Sequence, residues 1–258
     1  MTAKQYDYNG VIAEYWDLLR GDTSKWSSRP YFLQRIRESG EPALDVACGA
    51  GRLLFDYLAE GIDIDGVDYA ADMIALCRQK AAAGGFNPLL AVQPMQEMNL
   101  PRRYQTIIVP SSSFQHLTKK EDARRALQKF YKHLLPGGLL TMSLRVFEPE
   151  DDIEWEIDQE AIRPSDGAIV RRWFRCDFDT PNRLQNTEDR YEIIKDGQIV
   201  ESHLFAARPY LTWYLVSEAL ALLAEAGFVD VHANADFTLE PATDDDTSFI
   251  VLGKRPRL

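Results

Sequence analysis

Residues 43–55 read Ala-Leu-Asp-Val-Ala-Cys-Gly-Ala-Gly-Arg-Leu-Leu-Phe, and this run indicates how the surrounding chain folds. A short apolar segment ends at Ala47, two closely spaced glycines follow, and a helical pattern begins at Arg52. A strand, a glycine turn and a helix in this order let the backbone approach a nucleotide closely. The next strand-like run ends at Asp68, where a carboxylate can accept hydrogen bonds from both hydroxyls of a ribose. A tight turn between a buried strand and a helix is the simpler alternative.

The glycine pattern differs from that of dinucleotide-binding proteins. Those proteins carry Gly-x-Gly-x-x-Gly, and here Leu54 stands at the third glycine position. The run Asp45-Val-Ala-Cys-Gly-Ala-Gly51 instead resembles motif I of the class I S-adenosylmethionine-dependent methyltransferases, usually written Asp-x-x-Cys/Gly-Gly-x-Gly. The resemblance implies an α/β, Rossmann-like fold, with a seven-stranded mixed sheet whose last strand is antiparallel and with helices on both faces. It also implies S-adenosyl-L-methionine as cofactor and S-adenosyl-L-homocysteine as product.

The same resemblance predicts which residues contact the cofactor. Tyr69 and Met73 stand where the family places the adenine between two side chains, and core packing is the alternative for Met73. Pro94 stands where the family often has an acid that binds the adenine amine, so we expect Met95 or Gln96 to make that contact. The predicted cofactor-binding residues are Asp45, Ala47, Cys48, Gly49, Gly51, Arg52, Asp68, Tyr69, Met73, Met95, Gln96 and Pro110.

Two residues are predicted to act on the methyl acceptor. A strand-like run ends at Pro110 and continues into Ser-Ser-Ser-Phe-Gln-His116, a loop expected to line the ligand crevice because it follows the carboxyl end of a strand. The loop lacks the Asn/Asp-Pro-Pro-Tyr/Phe of DNA methyltransferases and looks more like the small-molecule enzymes, which include sugar N,N-dimethyltransferases. His116 is a candidate general base for a hydroxyl acceptor, since an imidazole titrates at about 6.5. Its alternative role is to cap the following helix or to form a hydrogen bond with a backbone carbonyl.

Tyr15 is the second candidate catalytic residue. It lies in an aromatic amphipathic segment, residues 6–20, in which Tyr8, Ile12, Tyr15 and Leu19 repeat at helical spacing. In small-molecule methyltransferases this region often caps the cofactor, and an aromatic ring near a sulfonium is favourable. A helix that packs on the sheet edge through its aromatic side chains explains the pattern equally well.

The pattern changes near residue 150. The charged residues of 148–160 are all acidic, and a solvated loop explains them better than attraction of a cationic acceptor. Alternating runs follow, and Asp196-Gly197 between two of them is a strong hairpin signal. We therefore predict a methyltransferase domain at 1–150 and 211–258 and an antiparallel β insertion at 151–210. The insertion would cover the acceptor, form a homodimer contact, or do both.

Composition restricts the class of partner. The chain has 258 residues and a net charge of −11, which disfavours a phosphate backbone, so we expect no nucleic acid substrate. Cys48, Cys77 and Cys176 lack metal-ligand spacing, so we expect reduced thiols and no metal. The N-terminus does not resemble a signal peptide, and no apolar run reaches the roughly 18 residues needed to span a bilayer. These features predict a cytoplasmic protein that does not bind membranes.

The predicted function is transfer of a methyl group from S-adenosyl-L-methionine to nitrogen or oxygen of a small molecule by in-line displacement. Two alternatives remain at this stage. One is a nucleotide-binding module without transfer activity, including a dehydrogenase-like binder of NAD. The other is a methyltransferase that acts on a protein, because an inserted sheet can bind peptides.

Overall fold

The computed structural model describes residues 3–147 and 152–257. Its strands are β1 (Lys4–Gln5), β2 (Ala43–Val46), β3 (Ile64–Asp68), β4 (Leu90–Val92), β5 (Tyr104–Val109), β6 (Leu134–Arg145), β7 (Ile153–Ile162), β8 (Ile169–Asp179), β9 (Leu184–Lys195), β10 (Gln198–Thr212), β11 (Val229–Ala235) and β12 (Ser248–Lys254). Its α-helices are α1 (Val11–Arg20), α2 (Ser28–Ser39), α3 (Arg52–Ala59), α4 (Ala71–Gly84), α5 (Lys120–His133) and α6 (Val216–Glu225). Short 3₁₀ helices occur at Ser113–His116 and Thr180–Asn182.

The chain divides into two compact units. The larger unit contains Ser24–Phe147 and the chain from Trp213 onward, and the smaller contains the chain up to Thr23 and the inserted segment that ends at Thr212. We predicted from the sequence that residues 1–23 belong to the methyltransferase domain. In the structure they belong to the unit of the insertion. The first residues of the acidic run, 148–151, lie outside the described residues.

The larger unit contains the predicted seven-stranded mixed sheet, in the order β11-β12-β6-β5-β2-β3-β4. The strands from β6 to β4 are parallel, whereas β12 is antiparallel to both β6 and β11. Every residue of β2 and β3 is buried, as expected for central strands of a parallel sheet that is covered on both faces. The predicted fold class and the reversed last strand are therefore confirmed.

Helices α2 and α3 cover part of this sheet. Phe32, Ile36 and Leu54 from the helices form one fully buried cluster with the strand residues Ile108 and Ile250. Complete burial of side chains of this size stabilises the folded state by about 1.5–3 kcal/mol each. This packing holds the start of α3, and with it the glycine turn, against the ends of the strands.

The smaller unit is a five-stranded sheet in the order β1-β10-β9-β8-β7. Its strands pair antiparallel, except that β1 is parallel to β10. The turn between β9 and β10 is the predicted Asp196-Gly197, and both residues have positive φ (51° and 74°), as a type I′ hairpin turn requires. The hairpin prediction is confirmed.

Helix α1 packs on this smaller sheet through the apolar positions of its pattern. Ile12, Tyr15 and Leu19 are buried in one cluster with the strand residues Tyr191 and Ile193. The helical spacing therefore predicted the helix correctly from Ile12 to Leu19, whereas Tyr8 lies before α1 with a φ of 55°. The surface that it covers is the inserted sheet.

Candidate active site

The parallel strand order brings four loops to one edge of the larger sheet. Strands β5, β2, β3 and β4 are neighbours, so the segments after their carboxyl ends lie side by side. In open α/β sheets this edge is where ligands bind. The segments are 47–51, 69–70, 93–97 and 110–116.

The two glycines of the first loop have different roles. Both have positive φ, 56° at Gly49 and 87° at Gly51. A Cβ atom on Gly51 would collide with the ring of Phe55 and lie 3.0 Å from the Sγ of Cys77, so packing requires a glycine there. A Cβ atom on Gly49 would meet no atom within 4 Å. The space next to Gly49 is therefore open for a ligand, which is the feature that the motif predicts.

Cys48 lies inside the loop and not on its open side. Its side chain is 6% exposed, and its Sγ would lie 2.9 Å from a Cβ on Gly66, so the glycine in β3 makes room for the thiol. The Cys77 thiol and burial raise the pKa of Cys48, which keeps it protonated. Its N–H donates to Val67 O and its C=O accepts from Gly51 N–H. Cys48 therefore shapes the loop, and its predicted contact with the cofactor remains a prediction.

Asp68 ties the end of β3 to the glycine loop. Its Oδ2 accepts the N–H of Gly49 at 2.9 Å and its Oδ1 accepts the N–H of Ala70 at 2.9 Å. Burial raises the pKa of this carboxyl, and the backbone hydrogen bonds oppose that rise. A carboxylate has about four acceptor positions, so acceptor capacity remains for a ribose hydroxyl. The acid predicted to hold the ribose thus lies beside the open space at Gly49.

Asp45, the first residue of the motif, is buried without a complete set of partners. It is 1% exposed, and its Oδ1 accepts no hydrogen bond from the described residues. Burial raises its pKa to about 7, an effect that Arg52 opposes and Asp68 increases. An unsatisfied buried polar atom costs about 1–3 kcal/mol, which a ligand N–H or O–H group would recover. The donor set at this edge therefore fits the predicted nucleoside, with an acceptor for its ribose and a second acid nearby.

Arg52 connects three segments of the larger unit. Its guanidinium carbon lies 4.8 Å from the centroid of the Trp26 ring, and its Nη atoms donate to Ser28 Oγ at 3.4 Å and Ser111 Oγ at 3.2 Å. It thereby links the first turn of α3 to the loop after β5. The cation is positioned to attract an anionic group at this edge.

The residues predicted around the adenine differ in exposure. Tyr69 is 47% exposed, whereas Met73 is 2% exposed and lies in the core, as its alternative role requires. Met95 and Gln96 occupy a turn closed by a hydrogen bond from Glu97 N–H to Pro94 O. The structure thus places Tyr69, Met95 and Gln96 at the site edge, and their contacts with adenine stay predictions.

The loop that carries His116 is firmly anchored. Ser111 and Ser112 have positive φ (58° and 55°), and Ser112 N–H donates to Ser143 Oγ. Gln115 is fully buried and exchanges two hydrogen bonds of 2.8 Å with the backbone of Arg145, at the end of β6. His116 is partly buried at the end of the 3₁₀ turn, and Pro110, directly after β5, is buried and accepts a hydrogen bond from Ser113 N–H. The loop holds His116 at the edge that also carries the glycine turn.

Tyr15 lies in the other unit. It is 5% exposed, burial raises its pKa, and its hydroxyl accepts a hydrogen bond from Arg163. This environment matches the alternative in which the aromatic segment packs on a sheet. The catalytic role of Tyr15 remains a prediction.

Several residues that shape the site were not predicted from the sequence. Gln115, Ser143 and Trp26 act through partners distant in sequence, and no local pattern marks them. Lys80 Nζ donates to Ala50 O at 3.2 Å and so supports the glycine loop from α4. Ser111 had a usable signal, because it directly follows the end of a strand at the ligand edge.

Two negative findings apply to residues 3–147 and 152–257. They contain no group of three or more His, Cys, Asp or Glu side chains that could hold a metal ion. None of the helices in these ranges has the length and apolar character needed to cross a membrane.

A seven-stranded sheet in which the last strand of the chain is reversed, with a glycine turn bound to the acid of the neighbouring strand, defines the class I S-adenosylmethionine-dependent methyltransferase fold. Residues 43–138 match the family described as "Methyltransferase domain". Over this part the chain is similar to methyltransferases, and a β insertion follows β6.

Individual proteins resemble it over different lengths. A dTDP-3-amino-3,6-dideoxy-alpha-D-glucopyranose N,N-dimethyltransferase of Streptomyces fradiae is 32% identical over 54% of this chain and 54% of its own length. A glycine/sarcosine N-methyltransferase of Halorhodospira halochloris is 24% identical over 96% of this chain and 88% of its own. The crystal structure of an S-adenosylmethionine-dependent methyltransferase from Clostridium acetobutylicum has a TM-score of 0.74 at 18% identity and covers 94% of this chain and 96% of its own.

Proposed function

We propose that this enzyme methylates the amino group of a small amino sugar. The binding of S-adenosyl-L-methionine is supported by one observation above all: Asp68 accepts a hydrogen bond from Gly49 N–H, and the space next to Gly49 is open. The acceptor half is supported by the relative from Streptomyces fradiae, whose name specifies an amino sugar, and by a loop after β5 that lacks the DNA-methyltransferase motif. The net charge of −11 argues against a nucleic acid acceptor.

The chain's own residues would bind and orient both reactants. Asp68 would accept the ribose hydroxyls, Gly49 would leave room for the nucleoside, and Tyr69 would contact the adenine. When bound, S-adenosyl-L-methionine supplies a methyl group that its sulfonium already activates. The protein then needs to align the acceptor nitrogen and exclude water.

His116 would serve as the proton acceptor of the site. An amine attacks through its neutral lone pair, so the reaction needs a group that keeps the nitrogen unprotonated or removes its proton afterward. His116 lies in the loop that Gln115 anchors to β6. We expect His116→Ala to lower turnover by about tenfold or more while the affinity for S-adenosyl-L-homocysteine stays unchanged. Loss of that affinity with normal turnover would instead make His116 a cofactor or structural residue.

The test combines binding with product analysis. Calorimetry should show binding of S-adenosyl-L-homocysteine and none of NAD. Radiolabelled S-adenosyl-L-methionine should then methylate a nucleotide-linked amino sugar, but not the matched sugar in which a hydroxyl replaces the amine. Tight NAD binding without homocysteine nucleoside binding would refute the cofactor assignment. Binding without transfer to any acceptor would favour the module that binds but does not catalyse, and transfer to peptides would favour a protein acceptor.

A second candidate acceptor is an amino acid. It is favoured by the glycine/sarcosine N-methyltransferase relative, which matches 96% of this chain, whereas the amino sugar relative matches 54%. Glycine and sarcosine therefore belong in the same acceptor panel. Faster transfer to glycine than to any amino sugar would replace the first proposal with this one.

The smaller unit would also form a homodimer. On one face of its sheet, Arg190 lies 4.9 Å from the Trp173 ring centroid and 5.2 Å from that of Trp155, in a surface of aromatic and arginine side chains typical of interfaces. The terminal strand β7 exposes Ile157 by 48%. Ile157→Lys should convert a dimer to a monomer in sedimentation, whereas Ile199→Lys on β10 should not. A wild-type monomer would refute the proposal.

The three free cysteines support a cytoplasmic location.

A further inference from the structure

A groove of about 640 Å³ lies in the larger unit, away from the glycine turn. Gln105 and Leu139 are among the residues that line it. Gln105 lies near the amino end of β5, and Leu139 lies in β6 where that strand pairs with β5. The methyltransferase site is built at the carboxyl ends of the same parallel strands. The groove therefore opens at the opposite edge of the sheet.

The groove is basic, although the protein as a whole is acidic. Four side chains that are cationic at neutral pH line it, together with the two carboxylates of Glu38 and Asp230; the cations are Arg35, Lys254, Arg255 and Arg257. The carboxylates are already paired, Glu38 with Arg35 at 2.9 Å and Asp230 with Lys254 at 3.2 Å. The other two cations, Arg255 and Arg257, have no carboxylate partner among residues 3–147 and 152–257. The lining thus has a surplus of two positive charges in a chain of net charge −11.

Neither arginine is positioned by an ion pair among the described residues: Arg255 is held by hydrogen bonds and a ring contact, and Arg257 lies against Gly137. Arg255 donates to the backbone carbonyls of Tyr131 and Leu134, and its guanidinium carbon lies 5.1 Å from the Tyr131 ring centroid. The side chain of Arg257 crosses Gly137, where a Cβ would lie 2.7 Å from its Nε. Gly137, with φ of +80°, therefore leaves space for the arginine. The guanidinium of Arg255, held in this way, would lose little conformational entropy on binding an anion.

We infer that this groove binds a small phosphorylated molecule with two or more negative charges. Arginine forks recognise phosphate oxygens through paired N–H donors. A cleft lined by one sign of charge concentrates ligands of the opposite sign. A volume of about 640 Å³ is in the range of small-molecule pockets and exceeds that of a single simple ion. The inference does not depend on the proposed acceptor, because it uses no residue of the methyltransferase site.

Inorganic pyrophosphate is the probe. Calorimetry on the full chain should show binding that weakens as ionic strength rises and that leaves the affinity for S-adenosyl-L-homocysteine unchanged. Arg257→Gln should weaken pyrophosphate binding by about tenfold, since it removes a charge-assisted contact. Arg124→Gln is the matched control, because Arg124 is an exposed arginine outside the groove, 4.0 Å from Glu225.

Four outcomes would overturn the inference. One is the absence of pyrophosphate binding, and another is an equal effect of the two substitutions. Competition between pyrophosphate and S-adenosyl-L-homocysteine would place the anion at the methyltransferase site instead. Stronger displacement of pyrophosphate by a polyglutamate peptide than by a nucleoside diphosphate would indicate an acidic protein partner. Arg257 is exposed, so the variant should fold normally, and a thermal melt checks this.

Discussion

Asp68 in the larger unit accepts hydrogen bonds from two backbone N–H groups, whereas Asp189 in the smaller unit pairs with the guanidinium of Arg172 at 2.7 Å. Both carboxylates are buried, and burial raises the pKa of each. The partners of Asp68 come from its own strand end and from the adjoining loop, and they leave acceptor positions for a ligand. Asp189 depends on a single charged side chain of another strand. Backbone support therefore suits a ligand site, and ion pairing suits a core.

The largest expected effect follows from removing the side-chain partner. Arg172→Met leaves Asp189 as an uncompensated buried charge and should lower the free energy of unfolding by about 3–5 kcal/mol. Urea denaturation measures this change. The double variant Arg172→Met/Asp189→Leu should recover most of the loss, because it removes both charges. A double variant as unstable as the single one would mean that packing, and not charge, explains the effect.

The two glycines of the turn separate folding from binding. Alanine at either position costs about 1–2 kcal/mol because of the positive φ. Gly51→Ala should lose about 1–3 kcal/mol more, because its Cβ meets Phe55. Gly49→Ala should instead weaken the binding of S-adenosyl-L-homocysteine by about tenfold, or about 1.4 kcal/mol. Denaturation and calorimetry on both variants test this contrast. If the two variants lost the same stability and the same affinity, the glycines would not have separate roles.

Asp68→Asn tests whether the backbone-bound acid also holds the ribose. The amide retains one acceptor oxygen but replaces the other with a donor that faces a backbone N–H. We expect the affinity for S-adenosyl-L-homocysteine to fall by about 1–3 kcal/mol. Glu225→Gln, an exposed acid at the end of α6 and outside the four segments of the site, is the matched control and should bind normally. Unchanged affinity in the Asp68 variant would remove the ribose assignment.

The last prediction concerns the pH dependence of stability and Asp45. Its folded-state pKa of about 7 lies above the usual value of 3.8, so the protonated acid contributes stability that is fully present below about 4. That contribution is lost as pH rises through about 7. The free energy of unfolding should therefore fall over this range more steeply in the wild type than in Asp45→Asn, as urea titrations at several pH values would show. Parallel profiles would mean that Asp45 keeps an ordinary pKa.

Much of the site was predictable because its motif is local. Asp45, Gly49, Gly51 and Asp68 lie at strand ends separated by one helix, and a parallel strand–helix–strand unit returns the chain to the same edge. The anchoring of the 111–117 loop was not predictable in this way. Gln115 binds the backbone of Arg145, and nothing in the residues around Gln115 indicates which distant strand its amide meets.

The N-terminal segment shows the same limit at larger scale. Its helical spacing correctly predicted α1, because apolar periodicity reports which face of a helix is buried. Periodicity does not report what covers that face. In the structure, Ile12 and Tyr15 pack against the inserted sheet, which lies more than a hundred residues later in the chain.

The order of residues by itself determined the fold class, the glycine turn, the acid beside it and the Asp196-Gly197 hairpin. Each of these depends on backbone conformations and burial patterns that neighbouring residues set. Tertiary structure alone decided that residues up to Thr23 join the unit of the insertion and that Met73 lies in the core. It also decided that Arg255 and Arg257 line one groove without carboxylate partners among the described residues. Those outcomes depend on which surfaces meet, because burial and charge pairing act between residues that are close in space whatever their separation along the chain.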